Sequence, residues 1–253
     1  MGVVFAAGVL VPQQFAGQEY FRGAKKAFPG ALFPPVPTLA DVPARANDLA
    51  NEINAAFPNG PIHIIAHSMA GLDARFMLSH NLCGLANPGR VASLSMISTP
   101  NWGSPIADLL VGPKPSPLDP RWVVYESLVK LAADIGLPLG AVGDLTSSYT
   151  ATFSPQNPNV GRVSYYCYAG SGLESVLLAP LRAYITSVGQ SPDEQANDCL
   201  VSVKSASWMP LAEGPWTTAD HFSEVGHTLN PPTFVSAFDH IAAYRRILAR
   251  AGA

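Results

Sequence analysis

Charge is scarce in this chain. Only 13% of its 253 residues are Asp, Glu, Lys or Arg, against 48% hydrophobic. That balance excludes a disordered chain, which carries the opposite composition. The charges nearly cancel, 15 basic against 18 acidic for a net of −3. They give no electrostatic reason to expect nucleic acid as a partner. Long hydrophobic runs are missing too: despite a mean hydropathy of +0.17, no stretch approaches the ~18 apolar residues of a membrane span. No Lys or Arg precedes Arg22, so the apolar start MGVVFAAGVLV lacks the basic flank of a secretory leader. It reads as a first core strand, which a mature secreted protein and a cytoplasmic one would share. Cysteine is rare as well. With Cys83, Cys167 and Cys199 at least one thiol is unpaired, and a Cys167–Cys199 disulfide and buried free thiols both stay open. No Cys/His cluster has zinc-ligand spacing, and neither a metal nor a cofactor is expected.

What is present is a regular alternation. Apolar runs of strand length fall at 3–9, 62–66, 91–98 and 163–169, with a weaker, proline-interrupted run at 31–36. Runs with so little polar alternation suit strands buried on both faces of a parallel sheet. Between them lie helical patterns. Asp41 and Pro43 mark a helix start, and Val42, Ala46, Leu49 and Ile53 recur on one face. A last helix is expected to carry Phe234, Phe238, Ile241 and Leu248 on one face, with Arg245, Arg246 and Arg250 crowding its end. Strand alternating with helix predicts an α/β protein with a doubly wound, mostly parallel sheet, built as a single domain over 1–253. Residues 105–159 break the pattern with GPKPSPLDP followed by an apolar helix from Trp122. So long an insertion after a core strand predicts a helical cap or lid.

The most informative stretch is 61–76, PIHIIAHSMAGLDARF. An apolar strand runs into Ser68 and straight on into a helical pattern. That is the form of a nucleophile elbow, which lifts a serine hydroxyl out of a sheet and sets it over a helix N-terminus. Small residues are needed two before and two after the serine, and Ala66 and Ala70 meet that need. A serine hydroxyl is a poor nucleophile, so it requires a base, and the base an orienting carboxylate. Of six histidines, His63 and His67 lie at the elbow strand, His80 ends the elbow helix and His240 falls within the last helix. His221 and His227 remain, just upstream of the last helix. Asp198, beside a short apolar run, stands where an acid loop should lie; Asp193 and Asp220 are the other carboxylates to weigh.

Four stretches together resemble bacterial true lipases of the Pseudomonas–Burkholderia type and their relatives among the α/β-hydrolases. AHSMAGLDAR (66–75) is similar to their elbow, and STPNWGS (98–104) to the Pro-x-x-Gly-Ser turn after their next strand. NDCLVS (197–202) resembles their Asn-Asp-Gly-Leu-Val acid loop, and DHFSEV (220–225) their His-Leu-Asp-Glu-Val base loop. The order is the same, and the likeness runs from the first strand to about residue 225. It implies an α/β-hydrolase fold with Ser68 as nucleophile, Asp198 as acid and His221 as base. It also implies an oxyanion hole made by the backbone N–H groups of Met69 and Val9, with Leu10 in reserve. Trp102, Trp122 and Leu10 would then line a substrate pocket. Cys199 replaces the glycine after the acid. Ser223 stands where calcium-binding relatives carry a carboxylate, which argues against a calcium site. The implied function is a serine carboxylic ester hydrolase, a lipase or esterase acting on apolar acyl esters as a monomer with transient contact with a lipid surface. An acyltransferase, a polyester hydrolase and a non-catalytic binding protein on the same fold are the alternatives.

Overall fold

In a computed structural model, residues 1–9, 14–15, 18–35, 37, 40–135 and 139–253 are described, with the backbone alone at 14–15, 18, 131–135 and 139–141. Among the described residues six strands form: β1 (Gly2–Ala6), β2 (Gln14–Phe15), β3 (Gln18–Glu19), β4 (Ile62–His67), β5 (Val91–Ile97) and β6 (Ser164–Tyr168). The central sheet has the spatial order β1-β4-β5-β6 with every pairing parallel, and β2 and β3 make a separate antiparallel pair. The helices are α1 (Ala24–Ala27), α2 (Val42–Ala56), α3 (Ala70–Ser79), α4 (Pro105–Val111), α5 (Trp122–Ile135), α6 (Ser147–Gln156), α7 (Ala179–Val188), α8 (Pro192–Gln195), α9 (Val203–Ala206) and α10 (His240–Ala251).

Alternation along each strand sorts the core into two layers. Val4, Ala6, Ile62, Ile64 and Met96 face α2 and α3. Their neighbours Phe5, Ile65 and Ile97 face Tyr244, Ile247 and Leu248 of α10. A sheet covered on both faces needs continuous apolar strands, and all six residues of β4 are buried. In α2 the Asp41 carboxylate accepts the Ala44 N–H at 2.9 Å, and Val42, Ala46, Leu49 and Ile53 are all buried. Each large aliphatic side chain so buried contributes ~1.5–3 kcal/mol. Gly71, on the first turn of α3, lies where a Cβ would collide with the Thr99 side chain, so α3 crosses the sheet at close range.

Two expectations need correction. The run at 31–36 is not a strand among its described residues: Leu32 makes one parallel bridge to Val4. Pro34 and Pro35 offer no N–H to continue the ladder; Val36 is outside the described residues. The last helix does not include Phe234 or Phe238. It starts at His240, where the Asp239 carboxylate accepts the Ala242 N–H at 2.9 Å, and Phe234 sits at φ 52°, outside helical geometry.

Residues 105–159 hold α4, α5 and α6, and they lean on two parts of the α/β body. Ile106, Leu109 and Leu128 share a cluster with Cys199 and Phe222, while Phe153 of α6 packs with Val9, Met69 and Leu72. Cys83, Cys167 and Cys199 are free thiols.

Candidate active site

The chain leaves β4 at His67 and enters α3 at Ala70, so Ser68 has to reverse direction within a single residue. It does so at φ 59°, in the left-handed region that costs an L-residue roughly 1–2 kcal/mol. Ala66 and Ala70 beside it are buried. On the far side Gly8 closes in: a Cβ there would lie 2.8 Å from Ser68 Cβ.

Asp198 and His221 come from loops far apart in sequence, and main-chain bonds join those loops. The His221 N–H donates to the Asp198 carbonyl at 3.0 Å, and the Asp198 N–H to the Val201 carbonyl at 3.1 Å. The side chains meet within this frame, His221 Nδ1 lying 2.7 Å from Asp198 Oδ2 with both residues buried. The other carboxylate oxygen, Oδ1, accepts the N–H groups of Leu200 at 2.9 Å and Val201 at 2.6 Å. Cys199 occupies φ 82° in this turn, which accounts physically for a glycine at the matching place in relatives. His221 Nε2 is buried without a hydrogen-bond partner among the described residues. The ring centroid lies 4.5 Å from that of His67, the residue before Ser68. The structure thus brings Asp198 and His221 into contact and sets His221 against the elbow.

Val9 and Met69, the two backbone-donor candidates, pack in one buried cluster. Leu10 lies outside the described residues. Trp102 is 45% exposed, its ring 5.3 Å from that of Trp208, and it borders a 360 Å³ surface cleft with Ile185, Val188 and Lys204. Trp122 is half-buried at the start of α5, under the Lys114 ammonium and beside Tyr125. None of Ser68, Asp198 and His221 borders the Trp102 cleft.

The remaining candidates have other partners. His63 pairs with Ser93 Oγ, His227 Nε2 with the Glu19 carbonyl and His240 Nε2 with the Arg22 carbonyl. Asp220 accepts four backbone N–H groups, from Glu174, Ser175, Phe222 and Ser223. The Arg75 guanidinium lies 3.7 Å from the Trp208 ring and reaches Asn101 Oδ1, while Asp73 binds Arg45.

Sequence reasoning missed two buried networks. Tyr20 Oη is 2.7 Å from His67 Nδ1, His67 Nε2 is 3.0 Å from Glu224 Oε2, and Ser98 Oγ donates to Glu224 Oε1 at 2.6 Å. Burial, with the His221 ring nearby, holds His67 well below its ordinary range. Burial and then the Asp198 charge raise Glu224. In the second network Arg45 Nε donates to Asp73 Oδ2 at 2.9 Å, and burial lifts the Asp73 carboxyl to about 6 against that pull. His67, Ser98 and Glu224 lie inside the motifs that carry the family likeness, so a signal was present, though nothing in the sequence pairs them. His67, His221 and Glu224 offer ligand atoms within 4.8 Å of one another. Tyr20, Asp198 and Ser98 each bond to one of these three residues, and His67 bonds to Glu224.

The parallel order β1-β4-β5-β6, with helices on both faces and Ser68 at the strand-to-helix turn, is the α/β-hydrolase fold. Comparison agrees on the class and narrows it. The chain is 27% identical over 205 residues to triacylglycerol lipase 2 of Saccharomyces cerevisiae, a match covering 75% of this chain and 57% of that protein. It therefore spans little more than half of the curated relative. No family model matches. Among solved structures, the mature lipase of Bacillus licheniformis superposes with a TM-score of 0.71 at 17% identity, over 99% of this chain and 91% of that one. A metagenomic carboxyl esterase gives 0.71 at 17%, over 100% and 75%, and the Staphylococcus hyicus lipase 0.65 at 17%, over 99% and 96%. The chain thus has the α/β-hydrolase fold and is homologous to a triacylglycerol lipase, with bacterial lipases and esterases as structural neighbours. The narrower likeness to the Pseudomonas–Burkholderia type rests on the four sequence motifs alone.

Proposed function

We propose that the chain is a serine carboxylic ester hydrolase acting on apolar acyl esters through Ser68, His221 and Asp198. The observation that carries this is the buried Asp198–His221 pair at 2.7 Å, set against an elbow that holds Ser68 at positive φ. A carboxylate bonded to Nδ1 keeps that nitrogen protonated and leaves Nε2 free to accept a proton. His221 takes the hydroxyl proton of Ser68 as Oγ attacks the ester carbonyl. The N–H groups of Met69 and Val9 hold the oxyanion, that of Met69 aided by the dipole of α3. As the tetrahedral species collapses, the alkoxide leaves with the proton from His221, giving an acyl-serine. Water then attacks the acyl carbonyl with His221 again as base, releasing the acid and restoring Ser68.

Region 105–159 acts as the cap over this site, since its α4 and α5 side chains pack on Cys199 and Phe222 and its α6 on Val9 and Met69. Apolar side chains stand out on and near this cap, Leu118 at 96% and Val123 at 64%, with Val176 at 71% and Leu177 at 65% nearby in sequence to α7, a helix that packs on α5. Such exposure fits a monomer that touches a lipid surface transiently and draws its ester from it. The test is hydrolysis of p-nitrophenyl esters from acetate to palmitate by wild type and Ser68→Ala. Turnover that disappears in the variant supports the reading, and the preferred chain length separates esterase from lipase. Absence of wild-type turnover on every ester would overturn it in favour of an acyltransferase or a binding protein, and turnover surviving the substitution would mean a different nucleophile.

A further inference from the structure

The two buried networks meet on one peptide group. The Ala7 carbonyl accepts from Arg45 Nη2 at 2.9 Å, and the N–H of the same peptide, on Gly8, donates to Tyr20 Oη at 3.2 Å. We propose that Arg45 and Tyr20 are positioning residues that lock the Ala7–Gly8 peptide and thereby aim the next N–H, that of Val9, at the oxyanion. The proposal rests on the ester-hydrolase reading above and deepens it.

Each grip is itself anchored to the elbow. Arg45 is completely buried, and besides Ala7 it donates to the Pro37 carbonyl at 2.6 Å and to Asp73 of α3. Tyr20 accepts from Gly8, which leaves its own proton for His67 Nδ1, and His67 Nε2 in turn meets Glu224, three residues after His221. The strand end after β1 is therefore tied through Asp73 to the helix under Ser68, and through His67 to the residue before it. A peptide fixed at both its C=O and its N–H cannot rotate about its flanking bonds without breaking a buried hydrogen bond. With that peptide held, only rotation about the Gly8 backbone bonds can still turn the next amide. Gly8 permits the approach, because a side chain there would strike Ser68 and lie 3.1 Å from Tyr20 Oη. An oxyanion donor has to be in place before charge develops, and misplacement by about 1 Å costs on the order of 10²-fold.

The test uses Tyr20→Phe, which keeps the ring against Phe21 and His67 and removes only the hydroxyl. The expected signature is a fall in kcat of about tenfold to a hundredfold with KM within about twofold, because the donor matters in the transition state and not in ground-state binding. Inhibition by butylboronic acid, which forms a tetrahedral adduct on the serine, should weaken by a similar factor. In the Ser68→Ala background the Gly8 amide proton should shift upfield when Tyr20 becomes Phe, reporting the lost bond without reference to turnover. Arg45→Lys, which keeps the charge near Asp73 but cannot make all three bonds, should repeat the kcat signature and serves if Tyr20→Phe does not fold. Active sites are titrated with a p-nitrophenyl phosphonate, so that a smaller folded fraction is not read as lower kcat. Per-site kcat and boronate affinity unchanged within twofold in both variants would overturn the proposal. If wild type neither turns over esters nor reacts with the phosphonate, the hydrolase reading fails and the proposal falls with it.

Discussion

Replacing Asp198 by Asn should inactivate the protein while leaving its fold in place, and the reason lies in how the two carboxylate oxygens are used. Oδ1 accepts two backbone N–H groups and Oδ2 faces His221 Nδ1. An asparagine here has one oxygen, and the two N–H donors claim it, because an NH₂ pointed at them would leave three buried donors facing one another. The NH₂ therefore takes the Oδ2 place and donates to Nδ1. The imidazole proton is driven to Nε2, the nitrogen that the proposed chemistry needs bare to accept the proton of Ser68. A wrong-tautomer change of this kind in a serine hydrolase costs about 10⁴-fold in kcat, or about 5.5 kcal/mol of transition-state stabilisation. The loop keeps its backbone bonds, so Tm should move by no more than about 3 °C, whereas Asp198→Ala should lose both activity and several degrees. The assay is kcat and kcat/KM on p-nitrophenyl butyrate with active-site titration, beside calorimetry. An Asn variant that keeps kcat/KM within tenfold of wild type at unchanged Tm would refute the reasoning.

Two further outcomes follow from the same geometry. Ser68→Gly relieves a left-handed residue at about 1–2 kcal/mol and returns part of that as unfolded-chain entropy. It should raise Tm by about 2–4 °C while abolishing turnover, and Ser68→Ala should abolish turnover without that gain; equal Tm for the two variants would count against strain at the elbow. Asp73 titrates from its ordinary 3.8 up to about 6 in the folded protein, so its contribution to stability is complete below the lower value and disappears as pH rises through the upper. In urea titrations, wild type should therefore lose up to about 3 kcal/mol relative to Asp73→Asn between pH 4 and pH 7. Parallel stability curves would show that burial does not govern Asp73.

The fold was legible where one local pattern decides the outcome. β4 reads as a buried strand because every residue is apolar or finds a partner at once. α2 reads as a helix because its cap, its proline and its buried face fall at the right intervals. The start of α10 was misread because Phe234 and Phe238 happen to continue its spacing, and periodicity does not register where a side chain caps. The site divides in the same way. Ser68 announces itself by a strand-turn-helix within a dozen residues. The Asp198–His221 contact was reached through resemblance, since a 23-residue gap says nothing of proximity. Tyr20–His67 and His67–Glu224 span 47 and 157 residues, and Arg45–Asp73 spans 28. Such pairs exist only once the sheet has placed its strand ends side by side.

That last point bears on when the molecule becomes active. Ser68 and its strained turn belong to the first third of the chain, but the partner loops follow the final sheet strand, and the frame that holds them closes through bonds between Asp198 and His221. A growing polypeptide that has completed β4 and α3 carries a serine with no base beside it. On the proposed chemistry it stays inert toward the esters of any membrane it meets until residue 221 has emerged and docked. With that chemistry, placing the base after the final strand of the described sheet withholds reactivity from a polypeptide that has not reached residue 221.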